Sequence, residues 1–206
     1  MCATGRDTAV NNKRWIAGLS LLAALHMPLV DQSTAQSSDE TYLPSNSVYH
    51  LQVPIEDQLG EFTGLDRYRG NAVLVTMFYA SCPHVCPLLI STIQLTESKL
   101  SNEERSKLRV LTISIDPERD TPALLRETMQ RHSVDSDRWS MVRPAPDDLR
   151  SIAGVFGVKY KKLPDGEFNH TTRIVLLDGD GTMIGSTEQL GRHDAAFLEA
   201  IQSSVR

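Results

Sequence analysis

A nearly continuous apolar run, "AVLVTMFYA" from Ala72 to Ala80, ends directly on "SCPHVCP", and this junction constrains the fold more than any other feature. The run is bracketed by Gly70-Asn71 before it and Ser81-Cys82-Pro83 after it. Short, unbroken and bounded by turn residues, it reads as a strand buried on both faces. Such a strand needs a layer on each side of its sheet, and a chain that is 40% hydrophobic and 23% charged can supply the core.

The rest of the chain repeats that alternation. "PLLISTIQLTESKL" after the cysteines carries Leu89, Ile93 and Leu100 at helical spacing. "LRVLTISI", Leu108 to Ile115, is a second buried strand closed by Asp116-Pro117. "DTPALLRETMQRH" starts a helix with Asp120 or Thr121 as N-cap and Pro122 in its first turn. "RWSMV" is a short third strand, and "PDDLRSIAGVFG" a helix with Leu149, Ile152, Ala153 and Phe156 on one face, capped by Gly157. "HTTRIVLLDGDGTMIGS" is a hairpin turning at Asp178 to Gly181, and "HDAAFLEAIQSSV" a closing helix with Phe197 and Ile201 inward. Upstream, "VYHLQV" (Val48 to Val53) reads as a strand ended by Pro54, and the stretch to Asn71 as turn-rich. The expected fold is α/β and thioredoxin-like: a central mixed β-sheet flanked by helices, with the first cysteine where a buried strand gives way to a helix.

Before this domain, Arg6, Lys13 and Arg14 precede the apolar "WIAGLSLLAAL", and small residues follow at "STAQ". That is the layout of a secretory signal peptide over residues 1–35, with an N-terminal membrane anchor as the alternative. Residues 36–47, rich in Ser, Thr, Asp, Glu and Pro, read as a linker, leaving 48–206 as the folded domain. The expected location is the periplasm, soluble or tethered. A net charge of −5 without a basic run argues against nucleic acid as a partner. Cys2 precedes the apolar run and receives no role.

Removal of the leader leaves two cysteines, Cys82 and Cys86. A disulfide between residues so close in sequence would stabilise little, which points to chemistry rather than a staple. The helix start favours a thiolate and is expected to lower the cysteine pKa. Helical spacing sets the two Cα atoms about 6 Å apart, within reach of a disulfide or of one metal ion. Thioredoxin-type couples use C-x-x-C with a cis-proline opposite, whereas this chain has "FNHTTR" there. Peroxiredoxins require Thr or Ser three residues before the reactive cysteine, a position held here by Tyr79 or Pro83. Two thiolates suit Cu(I) or Zn(II), and the lack of a second cysteine pair or a His-rich tract makes copper the more natural tenant.

"FYASCPHVCPLLI", then "ISIDPERDTP", then "FNHTTRIVLLDGDG" together resemble the SCO/SenC family of copper chaperones for cytochrome c oxidase assembly, over Val48 to Val205. The resemblance implies a thioredoxin-like fold and one copper ion per chain, bound by Cys82, Cys86 and His170. It implies delivery to the CuA-bearing oxidase subunit or another copper recipient. Reduction of the CuA cysteines is the redox alternative, with Cys82 and Cys86 as the couple, a disulfide between them when oxidised, and a thiol reductant as partner. A general copper-handling or tolerance role would use the same site.

Two positions depart from the family pattern: His84 stands for Asp, and Asn169-His170 for Asp-His. Both remove a carboxylate beside the site, which is expected to favour the thiolate. His84, two residues after Cys82, is expected to face solvent. His50, His132 and His193 lie in no motif and read as surface residues, and Asp116, Arg119 and Asp120 as strand-end and capping residues.

Overall fold

The computed structural model describes residues 42–206 apart from 84 and 193, so the leader and the start of the linker lie outside the described residues. Seven strands form one sheet: β1 (Ile55–Asp57), β2 (Phe62–Thr63), β3 (Ala72–Phe78), β4 (Leu108–Ser114), β5 (Trp139–Pro144), β8 (Ile174–Leu177) and β9 (Met183–Thr187). Their order is β2-β1-β5-β4-β3-β8-β9. β6 (Tyr160–Lys162) and β7 (Phe168–His170) form a separate two-stranded sheet. The helices are α1 (Val85–Glu97), α2 (Asn102–Ser106), α3 (Pro122–Arg131), α4 (Leu149–Val155) and α5 (Ala195–Ser204). Among the described residues, no helix is long and apolar enough to cross a membrane.

The mixed character of the sheet is set at β3. It runs parallel to β4 along its whole length, Ala72↔Leu108 to Phe78↔Ser114, and antiparallel to β8 on its other side. Every residue of β3 is buried, as its unbroken apolar sequence requires. β4 pairs parallel with β5, and helix-containing connections link the three parallel strands, as parallel pairing demands. Helix α1 is fixed from its far end. The buried Glu97 carboxylate accepts from Trp139 Nε1 at 3.1 Å and pairs with Arg138.

The fold is the thioredoxin-like α/β layout expected, with one correction. Val48 to Val53 is not a strand, because Val48–His50 forms a 3-10 turn capped by Ser47, whose Oγ accepts the Tyr49 amide at 3.2 Å. The turn drives the Tyr49 ring against Gly181, where a Cβ would lie 2.5 Å from the ring. Gly181 also has φ +78, so position 181 tolerates only glycine for two separate reasons. The "turn-rich" stretch that follows holds the short strands β1 and β2.

Candidate metal centre

The cysteines are placed by the end of β3. Beyond Phe78 the chain turns, the Cys82 amide donating to the Tyr79 carbonyl at 3.2 Å, and α1 begins three residues later at Val85. The Cys86 N–H donates to Cys82 Sγ at 3.4 Å, so that sulfur sits where a helix N-terminus offers unpartnered amides. Cys86 Sγ accepts the Tyr79 N–H at 3.5 Å. The pair is in the dithiol form, Cys82 9% exposed and Cys86 3%. Burial pushes the Cys86 thiol well above its usual range, and Cys82 and Asp120 push the same way against the Tyr79 bond. This corrects the expectation of a lowered pKa for that residue, since desolvation outweighs the helix end.

His170 arrives from far along the chain because of strand register. β8 runs antiparallel to β3 with Thr76 opposite Ile174, so residues leading into β8 emerge at the end of β3 where the cysteines lie. Thr76 Oγ1 fastens that entry by donating to the Arg173 carbonyl at 2.8 Å. His170 closes β7, paired with Tyr160. Its Nδ1 lies 3.0 Å from the Thr171 carbonyl, which makes Nδ1 the protonated nitrogen and leaves the lone pair on Nε2. Burial lowers its pKa below the ordinary value, so the ring is neutral at physiological pH and fit to ligate. Asn169 is exposed and lines the same shallow depression as His170, so this departure from the family pattern lies beside the imidazole.

Between the cysteines and His170 stands Tyr79. Its ring meets His170 edge-on at 5.9 Å between centroids and Phe168 at 5.3 Å. Its hydroxyl donates to Glu167 Oε2 at 2.8 Å and accepts the Phe168 amide at 3.5 Å. Burial and the Glu167 bond raise the phenol pKa, so the group stays a donor. Among the described residues, no three His, Cys, Asp or Glu side chains converge as a ligand set. The thiols open onto a cavity of about 400 Å³ between α1 and α3, while His170 lies on a separate depression. The donor set itself, two soft sulfurs and a neutral imidazole, fits a copper ion.

In the sequence, the carboxylate beneath the cysteine turn is indistinguishable from a capping residue. Thr121 is the cap of α3, accepting the Leu124 amide at 3.3 Å. Asp120 is instead fully buried, accepting the Ala80 amide at 3.1 Å and the Ser114 hydroxyl at 2.6 Å. Burial raises its pKa above the ordinary carboxylate value. Asp116 pairs with Arg119, which donates to the Gly166 carbonyl at 2.6 Å in the turn between β6 and β7. His132, expected at the surface, is half-buried on the cysteine cavity, and burial lowers its pKa. His84 and His193 lie outside the described residues.

The family model for SCO1/SenC matches residues 53–206. The chain belongs to the SCO1/SenC family. Among SCO relatives, an SCO2-like protein of Rickettsia felis is 26% identical over 132 residues, 61% of this chain and 62% of its own length. The chain thus spans less than two thirds of that relative. The structure of Bradyrhizobium japonicum ScoI with copper bound is 26% identical, with a TM-score of 0.61, covering 74% of this chain and 96% of that one. BsSco, reported with a disulfide switch and as a member of the Sco family of cytochrome c oxidase assembly proteins, matches at TM-score 0.62 and 20% identity. That match covers 74% of this chain and 90% of BsSco, and at this identity the likeness is one of fold.

Proposed function

We propose that this SCO1/SenC protein is an exported copper chaperone that carries one copper ion on Cys82, Cys86 and His170. It passes the ion to the CuA-bearing subunit of cytochrome c oxidase. The observation that carries the reading is the placement of two buried thiols at the end of β3 with a neutral imidazole entering at the same end through β8. The copper-bound ScoI relative supports the cargo. Three ligands leave a position open to an incoming thiolate, so the ion can change hands by ligand exchange. Residues 1–35 would direct the chain to the periplasm, as a cleaved signal or a tether.

A second reading rests on the exchange geometry of the same pair. Cys82 is the more exposed sulfur and would attack a partner disulfide; Cys86 would then displace it, leaving the partner reduced and Cys82–Cys86 oxidised. A thiol reductant would restore the dithiol.

Copper stoichiometry and affinity of the domain separate the two. Wild type is expected to hold one copper ion, the Cys82→Ser/Cys86→Ser variant none, and His170→Ala to bind at least about tenfold more weakly while keeping its thiol exchange. Unchanged copper affinity in His170→Ala would refute the three-ligand chaperone.

A further inference from the structure

The hairpin β6–β7 carries His170 yet, among the described residues, shares no strand pairing with the main sheet. Side chains must therefore decide where its imidazole stands, and Tyr79 touches more of the hairpin than any other residue named above. Its hydroxyl is bonded to Glu167 and Phe168, and its ring packs on Phe168 and His170. Its backbone holds the other half of the site, the N–H on Cys86 Sγ and the carbonyl on the Cys82 amide. One residue thus joins the thiol pair to the hairpin, its side chain reaching Cys82 as well as Glu167.

We infer that Tyr79 is the positioning residue of the site: its hydroxyl fixes the hairpin so that His170 is presented to the thiol pair. The inference rests on His170 being a copper ligand. Tyr79 supplies no donor to copper; its hydroxyl acts through the imidazole and also, by a side-chain hydrogen bond, on Cys82. The phenol is suited to this because a buried hydroxyl bonded to a carboxylate is a directional tie that an apolar contact cannot replace. Removing the hydroxyl leaves the ring, the strand and the backbone bonds to Cys86 Sγ and the Cys82 amide in place, and takes away the side-chain bonds to Glu167 and Cys82.

The test is Cu(I) affinity by competition with a chromogenic chelator, for Tyr79→Phe with and without His170→Ala. Tyr79→Phe alone is expected to weaken binding about tenfold, the scale of one hydrogen bond to a charged acceptor. In the His170→Ala background the same change should cost clearly less, leaving only what the hydroxyl contributes through Cys82. Glu167→Gln, which keeps a neutral acceptor, should lose less than Tyr79→Phe; Glu167→Ala should lose the Glu167 share of the tie in full. Amide hydrogen exchange on the metal-free domain gives a second arm: Phe168 and His170 amides should exchange faster in Tyr79→Phe, with β3 and β4 unchanged. Wild-type affinity in Tyr79→Phe, equal losses in both backgrounds, or undisturbed hairpin exchange would each overturn the inference. Should His170→Ala bind copper normally, the chaperone reading falls, and the exchange arm alone then decides whether Tyr79 positions the hairpin.

Discussion

Replacing Asp120 with alanine tests whether a buried carboxylate holds the cysteine turn in place. The wild-type side chain is fully buried and takes two donors, the Ala80 amide and the Ser114 hydroxyl. Ser114 Oγ also accepts the Asp116 amide at 2.9 Å, so the hydroxyl links Asp120 to the backbone that follows β4. Alanine would orphan both donors at about 1–3 kcal/mol each. Against that stands relief of the desolvation that raises the Asp120 pKa. The net expectation is a loss of about 3 kcal/mol, or about 6–12 °C in Tm for a domain of this size. Asp120→Asn keeps one acceptor and should recover roughly half of the loss. The pH dependence separates the two contributions. Because the folded pKa is raised, the ionised form opposes folding: this contribution is favourable below the unfolded pKa, about 3.9, and is lost as pH rises through the folded value. Relative to both variants, wild type should therefore lose stability over that rise. Urea unfolding of the metal-free dithiol domain between pH 4 and 8 is the assay. Asp120→Ala within about 0.5 kcal/mol of wild type at every pH would refute the argument.

Two further outcomes are expected. Gly181→Ala should destabilise the domain by at least about 2 kcal/mol, since it meets both a positive φ and the Tyr49 ring; an unchanged thermal midpoint would contradict the 3-10 turn described. Asp194, the N-cap of α5, has its pKa lowered by the Phe197 amide, the Thr187 hydroxyl and the Ala196 amide. Its stabilisation is present above the unfolded pKa and fades as pH falls through the depressed folded value, so Asp194→Asn should be less stable at pH 7 and converge on wild type in acid. A gap that persists at low pH in denaturant titrations would count against it.

What the sequence made legible follows from burial. β3, and β4 beyond the half-buried Arg109, are almost wholly apolar because both faces are covered, and such runs are visible in one dimension. The β6–β7 hairpin escapes a sequence reading because its strands are three residues long, polar and half exposed, and show no period at all. Val48 to Val53 misleads because a β-branched, aromatic composition suits a strand, while the Ser47 cap and the Tyr49–Gly181 packing decide otherwise. At the site, the strand-to-helix junction identifies Cys82 and Cys86 directly. Asp120 is hidden because a capping aspartate and a buried anchoring aspartate look alike before the Pro122 helix, and only the parallel pairing of β3 with β4 brings it under Ala80. The one signal for Tyr79 is its place three residues before Cys82, just beyond the fully buried strand β3.

The antiparallel seam between β3 and β8 has a consequence for how this sequence can diverge. Thr76 opposite Ile174 fixes where the chain re-enters the cysteine end, whatever path it takes between. Apart from the β4–α3 turn that carries Asp116, Arg119 and Asp120, insertions or deletions in the loops between α1 and β6 change mainly a loop-closure entropy that grows slowly with length. A slip of one residue in the seam would reverse the faces of all four residues of β8 and turn the preceding hairpin away from the thiols. Length is therefore the neutral variable in this chain, and registration the one under constraint.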